Sequence, residues 1–332
     1  MLAGIMKKIF LLLFLIFSYI QLHSATVVHT TQTDFSSGTF AGWGTDVTST
    51  GGGDIRLGLG GAENMGFSTH TSLCPNMPAA RAKHAMVVWN GKMYVAGGRD
   101  SSDTAQSTVW YATINADGTV GSWTVTTPMP GERYEHVMTV WNGRLYVSGG
   151  YDAVASVQNT VWYANINADG TIGSWIATTS MPDAKVRHAM TSWNGRLYVI
   201  SGSSEYVWYA DINADGTVGN WSATANFGTL NEISAVAWNG RLYVTGGNES
   251  TVRYAAINAD GTIGSWAATT SMPDVRTVSA MAVWNGRLYV TGGNNLTVSV
   301  SSSIFVGSIN NTDGSIASWV TSPNPLPECR AK

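Results

Sequence analysis

The amino-acid sequence predicts an all-β protein in which five four-stranded repeats form a β-propeller. Three observations favour this fold. The chain of 332 residues contains 37 glycines and 14 tryptophans, which suits many turns and many aromatic anchors. No stretch keeps a helical periodicity, and repeats of roughly 40 to 50 residues are typical of propeller blades. The triplet Trp-Asn-Gly recurs at spacings of 52, 52, 45 and 46 residues, beginning at Trp89, Trp141, Trp193, Trp238 and Trp284.

Each repeat divides into four short strands. Asn-Gly, between the first and second strands, is the strongest two-residue hairpin signal because both positions tolerate positive φ. A glycine pair ends the second strand in all repeats but the third, and an Asn-Ala-Asp-Gly turn joins the third strand to the fourth in all repeats but the fifth, which reads Asn-Asn-Thr-Asp-Gly. A single sheet of this kind cannot bury both faces alone, so neighbouring repeats must cover it. In the first repeat the predicted strands are 84–89, 92–96, 109–114 and 121–127, followed by Met129-Pro130.

The first 25 residues predict a signal peptide. Lys7 and Lys8 precede an apolar run over 9–17, which is too short to span a bilayer and suits a signal-peptide core. Cleavage would follow the small residues Ser24 and Ala25, and an uncleaved anchor is the alternative. We therefore expect a secreted, cell-surface or periplasmic protein with no membrane span after cleavage.

The rest of the chain divides into two parts. Residues 26–65 form a lead segment rich in Ser, Thr and Gly, and residues 66–332 form the propeller. The predicted repeats start near residues 77, 129, 181, 227 and 272.

Charge and cysteine content limit the partners and cofactors. The formal net charge is −3, and no cluster of Lys and Arg marks a nucleic-acid interface. No nucleophile or phosphate-loop motif occurs, so we expect no cofactor. The two cysteines, Cys74 and Cys329, cannot form a metal site by themselves, but they could form a disulfide in an oxidising compartment.

These repeats resemble the kelch-repeat β-propeller family, in a bacterial-type exported form. The resemblance is carried by the glycine pairs, the tyrosine of the third strand, the tryptophan of the fourth strand, and the Met-Pro passage with a following arginine. It covers about residues 77–322 and departs at Ser201-Gly202-Ser203 and at Phe227-Gly228. The glycine pairs are Gly97-Gly98, Gly149-Gly150, Gly246-Gly247 and Gly292-Gly293.

The last residues predict a truncated sixth repeat. Residues 325–332 match residues 76–83 in spacing, and the sequence stops where the next first strand would begin. Residues 66–73 stand where a fourth strand would precede the first Met-Pro passage. The ring therefore either closes with five blades or carries an incomplete sixth blade, which is shared between the termini or left as a gap.

The repeated Ile-Asn-Ala-Asp-Gly-Thr loop has two interpretations. In the third repeat, Asp211, Asn213 and Asp215 place oxygens at positions 1, 3 and 5, as in the first half of a calcium loop. However, Ser222 stands at position 12, where a calcium loop needs an acidic residue. Asn and Asp before Gly also suit a tight turn, so we predict a turn.

Histidines recur at the start of the predicted first strand in three repeats. A ring of histidines around an axial channel could hold a metal, but repeats four and five carry Ser234 and Ser279 instead, so packing is the prediction. We expect the neighbouring arginines to pair with backbone carbonyls or carboxylates between blades, with Arg133, Glu132 and Glu135 as the most site-like cluster. The histidines are His84, His136 and His188, and the arginines are Arg81, Arg133 and Arg187.

One end of the propeller is predicted to be the binding face. The loops between second and third strands differ among the repeats, whereas the turns at the other end are constant. Variable loops over a uniform scaffold are typical of a binding surface, although unconstrained drift would give the same pattern. The predicted contacts are Arg99, Asp100, Arg133, Glu135, Tyr151, Asp152, Glu205 and Asn294.

We predict a non-enzymatic binding, adhesion or scaffold module that acts as a monomer on a protein or glycan at a cell surface. Two alternatives stay open. Kelch propellers can resemble exported sialic-acid mutarotases, which would make the chain a carbohydrate-active enzyme that depends on Arg133 or His136. The third interpretation is a truncated copy without function.

Overall fold

The structure is a computed structural model that describes residues 29–30, 56–57, 75–116, 119–200, 205–230, 232–294 and 301–322. All regular elements in these ranges are β-strands. Over the same ranges, no helix has the length and apolar character needed to cross a membrane. The predicted signal peptide, both cysteines and the predicted sixth repeat over 325–332 lie outside the described residues.

Two short strands, β1 (His29–Thr30) and β2 (Arg56–Leu57), pair in parallel. The other strands form five four-stranded antiparallel sheets, called blades 1 to 5, each in chain order. Blade 1 contains β3 (Ala85–Trp89), β4 (Lys92–Ala96), β5 (Val109–Thr113) and β6 (Thr124–Thr126). Blade 2 contains β7 (Val137–Trp141), β8 (Arg144–Ser148), β9 (Val161–Asn165) and β10 (Ile176–Thr178). Blade 3 contains β11 (Ala189–Trp193), β12 (Arg196–Ile200), β13 (Tyr206–Asp211) and β14 (Ser222–Asn226). Blade 4 contains β15 (Ile233–Trp238), β16 (Arg241–Gly246), β17 (Arg253–Ala256) and β18 (Ala267–Ala268). Blade 5 contains β19 (Ala280–Trp284), β20 (Arg287–Thr291), β21 (Ile304–Ile309) and β22 (Ile316–Thr321).

The predicted all-β propeller of four-stranded repeats is confirmed. In blade 1 the second strand has its predicted bounds, and the first begins one residue later than predicted. The fourth strand is shorter than predicted, because the residues before Thr124 use their backbone to close the turn: Gly121 N donates to Thr113 O at 2.7 Å.

The first strand of each blade is the innermost, and each sheet packs both faces against its neighbours. Because side chains alternate along a strand, Met86 packs toward blade 5 and Val87 packs toward blade 2. Hydrophobic clusters fill the five contacts between blades, which we call seams. This arrangement buries both faces of every sheet, as the repeat argument requires.

The ring closes with five blades. Met86 and Val88 of blade 1 share one cluster with Ala282, Tyr289 and Val306 of blade 5. This seam therefore answers the question that the sequence left open: the ring closes by packing blade 5 directly against blade 1.

Candidate functional site

The two ends of the propeller carry different kinds of loop. One end holds the Asn-Gly turns and the Asn-Ala-Asp-Gly turns. In blade 2 the Asn-Gly turn has Asn142 at φ 44° and Gly143 at φ 74°, as a tight hairpin requires. The other end, which we call the variable-loop face, holds the connections from second to third strands and the passages into the innermost strands.

The turns between third and fourth strands in blades 2 to 5 each bind the preceding blade through a tyrosine hydroxyl. Asp215 Oδ1 accepts hydrogen bonds from Thr217 N at 2.9 Å and from Thr217 Oγ1 at 2.7 Å. The carbonyl oxygen of Gly216 accepts the hydroxyl of the buried Tyr146, in blade 2, at 3.1 Å. The loop forms a turn as predicted, and these contacts give it a structural role.

An axial cavity of about 310 Å³ runs between the innermost strands. Most side chains of these strands turn into the seams, so backbone and small side chains form much of the cavity wall. The part of the chain that the structure describes holds no group of His, Cys, Asp and Glu arranged for a metal ion. The wall is formed by residues 84–88, 136–140, 188–192, 233–237 and 280–283.

The three predicted histidines are buried at the variable-loop end of this cavity. A Cβ placed on Gly97 would lie 2.8 Å from His136 Cε1, and one on Gly149 would lie 2.7 Å from His188 Cε1. The first glycines of these two pairs therefore make room for the histidine of the next blade. Ser148 Oγ and His188 Nε2 share a hydrogen bond of 2.9 Å, whereas His136 has no partner for either ring nitrogen among the described residues. These histidines pack the seams.

Burial keeps the three histidines uncharged at neutral pH. Burial, reinforced by repulsion from Arg133 and His84, lowers the pKa of His136 to about 3. Burial is also the main cause that lowers the pKa of His188 to about 3 and that of His84 to about 4.

Strand register corrects the prediction that Ser234 stands at the histidine position of blade 4. Ile233 pairs with Gly246 of the glycine pair and has the same spacing from its Trp-Asn-Gly triplet as His136. Ile233 therefore occupies the histidine position. A shift of one residue along a strand turns a side chain to the other face of the sheet, so Ser234 is not its equivalent.

Arg133 stabilises a seam. Its Cζ lies 4.3 Å from the ring centre of Trp162, and its Nη1 donates to Glu132 O at 2.7 Å. Its Nη2 donates to Thr160 Oγ1 at 3.2 Å, and the residue is buried. Arg133 binds a backbone carbonyl, but that carbonyl belongs to the adjacent residue and does not lie across a seam as expected, and the stack on Trp162 was not predicted.

The prediction that grouped Arg187 with Arg81 and Arg133 is wrong. The residue of blade 3 with the same spacing from its Trp-Asn-Gly triplet is Lys185. Arg187 belongs to a second set, which immediately precedes the histidine position and rings the mouth of the cavity. All members have φ between 53° and 58°, and they are Lys83, Glu135, Arg187, Glu232 and Val278. We call the four charged members the charged collar. Each member after Lys83 donates its backbone N–H to the carbonyl of the one before, at 3.0 to 3.4 Å.

Glu135 is the centre of the charged collar. Lys83 Nζ lies 2.7 Å from Glu135 Oε1, and Arg187 Nε lies 2.7 Å from Glu135 Oε2. Burial acts to raise the pKa of Glu135, but the two cations outweigh it and hold the pKa below its ordinary value. Arg187 Nη1 continues the network to Glu232 Oε1 at 3.0 Å. The Glu135 side chain is 8% exposed, whereas that of Arg187 is 45% exposed and open to a partner.

A cation–aromatic stack, formed by Arg99, Tyr134 and Tyr151, lies beside the charged collar. Arg99 Cζ is 4.0 Å from the ring centre of Tyr134, and the Tyr134 and Tyr151 rings stack at 5.0 Å between centres. Tyr134 and Tyr151 also exchange backbone hydrogen bonds of 3.1 and 2.9 Å, so the stack is held rigidly. The structure thus connects two predicted contacts, Arg99 and Tyr151, through Tyr134.

The remaining predicted contacts hold loop structure. Asp100 and Asp152 each accept two backbone N–H groups and a glutamine amide from their own loops. Glu205 Oε2 accepts Asn226 Nδ2 at 3.0 Å. Asn294 pairs with another segment through its backbone.

Sequence reasoning missed Tyr134, Lys83 and Glu232 as members of this surface. Compared across the repeats, the position before the histidine reads Lys, Glu, Arg, Glu, Val. That alternation of charge was the available signal for the charged collar.

The chain belongs to the kelch-repeat family. Residues 64–247, more than half of the chain, match the family model for the KLHDC2/KLHL20/DRC7 Kelch-repeats domain.

Curated relatives match over shorter segments. Kelch-like protein 15 of Mus musculus is 29% identical over 138 residues, which cover 38% of this chain and 22% of that protein. Beta-scruin of Limulus polyphemus is 27% identical over 128 residues, which cover 37% of this chain and 13% of that protein. The chain therefore spans about a fifth or less of the length of these relatives. The solved structure of YjhT matches with a TM-score of 0.60 at 14% identity, over 76% of this chain and 87% of that chain, and this likeness shows the fold alone.

Proposed function

We propose that this protein is a non-enzymatic binding module whose contact surface is the variable-loop face. Kelch-repeat propellers serve as protein-binding scaffolds, which supports a binding role. The observation that carries the proposal is the cation–aromatic stack beside the charged collar. The stack is formed by side chains of blades 1 and 2 and departs from the repeated scaffold, as expected for a recognition surface.

The proposed partner is a protein or a glycan at a cell surface. The protein would bind it as a monomer that is secreted, surface-bound or periplasmic. Export rests on the predicted signal peptide over residues 1–25. N-terminal sequencing of the mature protein checks it, and a protein that retains residues 1–25 contradicts cleavage.

Binding to intact cells tests the proposed surface. The fluorescently labelled chain is compared with Tyr151→Ala and Arg187→Ala, and with Ala168→Lys as the control on an exposed turn at the opposite end. Each of the first two substitutions is expected to weaken binding about tenfold or more, since Tyr and Arg at interface centres contribute on the order of 2 kcal/mol. Ala168→Lys should bind like the wild type. Equal binding by all four proteins would show that another surface makes the contact.

The same proteins are tested for turnover, which separates binding from catalysis. Exchange between the anomers of sialic acid is followed by NMR with and without the chain. Accelerated exchange that disappears in His136→Ile or Arg133→Lys would replace the binding proposal with the carbohydrate-active enzyme.

A further inference from the structure

Two loops of the variable-loop face share one backbone design. They are residues 99–106 in blade 1 and 151–158 in blade 2. Asp100 Oδ1 accepts the N–H groups two and four positions later at 2.9 and 3.0 Å. Asp152 Oδ1 accepts the equivalent groups at 3.0 and 2.9 Å. In both loops a glutamine side chain donates to the second carboxylate oxygen at 2.8 Å.

The turn geometry is also matched. Asp103 has φ 58° and Ala155, at the equivalent position, has φ 60°. The N–H of each donates to the carbonyl of its loop's aspartate, at 3.0 and 3.1 Å. The loops therefore hold their shape with the same hydrogen bonds, and the remaining side chains are free to differ.

Those remaining side chains have opposite chemistry. Blade 1 presents Ser102 and Asp103, whereas blade 2 presents Val154 and Ala155 at the same positions. Val154 is 80% exposed and Val157 is 40% exposed. We call Ala153, Val154, Ala155 and Val157 the aliphatic tip. The blade 1 loop shows that this backbone does not need an aliphatic tip, so the loop's own fold does not explain it.

The charged groups around the aliphatic tip are paired with one another. Arg99 forms an ion pair with Asp103, while Glu135 pairs with Lys83 and Arg187. Arg187 pairs with Glu232 as well. The three cations of these pairs match the three anions, and the carboxylate of Asp152 is occupied by hydrogen bonds from its own loop, so the paired groups do not select a strongly charged partner. The aliphatic tip is the part of this surface that exposes apolar side chains to water.

We propose that the aliphatic tip inserts into an apolar pocket on a partner protein, with Tyr151 and Arg187 beside it in the centre of the contact. This inference rests on the proposed function and narrows its partner to a protein. A pocket lined by apolar side chains gains by covering exposed valine. A glycan would instead set hydroxyl groups against methyl groups that cannot hydrogen-bond them.

The chain supplies its own matched variants. Val154→Ser, Ala155→Asp and Val157→Ala together convert the aliphatic tip into the blade 1 sequence at those positions. Asp tolerates the positive φ of this position, as Asp103 shows in the matched loop. Ser102→Val, in blade 1, is the control. Thermal unfolding of each variant within a few degrees of the wild type confirms the fold.

The first probe is a displayed library of two-chain antibody fragments, whose Tyr- and Trp-rich combining sites supply rigid apolar contact area for a protruding loop. Clones selected on the wild-type chain are measured on each variant. We expect most clones to bind the triple variant at least tenfold more weakly and the Ser102→Val variant unchanged. Clones that show no preference for the blade 2 loop over the blade 1 loop would overturn the proposal.

The second probe is the intact-cell assay described above, with surface digestion by a protease or by glycosidases. Loss of binding in the triple variant and after protease, but not after glycosidases, supports the proposal. Binding that depends on Tyr151 and Arg187 but survives the triple variant overturns the aliphatic tip and leaves the proposed face intact. Loss after glycosidases overturns the protein partner. Absence of any cell binding counts against the proposed function itself.

Discussion

Acid is expected to weaken the ring through its buried histidines, and His136→Ile is the substitution that isolates one of them. Ile233 occupies the same position in blade 4, so the scaffold accepts isoleucine there. The folded chain holds the pKa of His136 at about 3, whereas an unfolded histidine has a pKa of about 6.5. Between these values only the unfolded chain binds the proton, so stability falls as pH falls through about 6.5 and is unaffected well above it.

The size of the effect follows from the pKa values. At pH 5 the pH lies about 1.5 units below the pKa of the unfolded histidine, so proton binding stabilises the unfolded chain. This lowers the free energy of unfolding by about 2 kcal/mol. His188, with a pKa of about 3, and His84, with a pKa of about 4, add similar amounts. The total is roughly 6 kcal/mol at pH 5, a large part of the 5–15 kcal/mol typical of a folded domain.

Urea unfolding, followed by tryptophan fluorescence at pH 8, 6.5 and 5, measures this loss. Wild-type stability should fall by only about 1 kcal/mol between pH 8 and pH 6.5 and by clearly more between pH 6.5 and pH 5. His136→Ile should lose about one third less between pH 6.5 and pH 5. Carboxylates titrate mainly below this window, and the pKa of Glu135 is held below its ordinary value, so they do not imitate the effect. Parallel pH profiles for the two proteins would refute the assignment to His136.

Three further predictions concern the seams and the charged collar. Gly97→Ala should lower the free energy of unfolding by roughly 3 kcal/mol or more, because the new Cβ would lie 2.5 Å from a backbone oxygen of the next blade. Gly143→Ala is also at positive φ but in open space, and it should lower that free energy by only about 1 kcal/mol. Equal losses of stability in thermal unfolding would contradict the steric argument. Tyr94→Phe should lower the free energy of unfolding by about 1–2 kcal/mol, because it removes a 3.0 Å hydrogen bond to the turn of the next blade. Tyr111→Phe removes the hydroxyl of the stacked neighbour and leaves that bond in place, so it should destabilise less. A lower urea midpoint for Tyr111→Phe than for Tyr94→Phe would show that the bond is unimportant. Glu135→Gln should lower the free energy of unfolding by about 2 kcal/mol, since it removes the anion between two cations. Added salt should reduce this difference in stability from the wild type. A difference that grows with salt would argue against an ion-pair origin.

The repeats made the fold predictable because its local signals are strong. Asn-Gly turns and glycine pairs specify the hairpins within each blade, and the strands follow from the alternation between them. Closure of the ring was not predictable, because the angle between blades depends on how side chains distant in sequence pack. Met86 and Ala282 share a cluster, although nearly the whole propeller separates them along the chain.

The candidate site was predicted in part. Arg99 and Tyr151 stood out because they begin variable loops, and both are partly exposed. Tyr134, which joins them, lies before an innermost strand and contacts them across the fold. Arg133 and Asp152 were predicted contacts because they are polar and near variable loops. Polarity alone does not reveal that one stacks on a buried ring and the other holds its own loop.

The stack of Arg133 on Trp162 could have been found by comparing blade 4 with the other repeats. Leu230 stands at the position that Arg133 holds in blade 2, and Arg253 stands at the position of Trp162. The two changes are complementary: the cation is kept in the seam but comes from the third strand, where Arg253 Nη2 pairs with Glu249 Oε2 at 2.7 Å.

Blade 4 departs from the repeat at a second place, in the seam between blades 3 and 4. Phe227 replaces the methionine of the Met-Pro passage and packs edge-on against Trp266 at 4.7 Å between ring centres. In the preceding seam, Trp221 Nε1 donates to Thr179 O at 3.0 Å, whereas Trp266 Nε1 is buried without a hydrogen-bond partner in the described ranges. A buried donor without an acceptor lowers the stability of its seam. Among the described residues, this seam therefore lacks a hydrogen bond that the preceding seam has, and we expect it to be the weaker of the two.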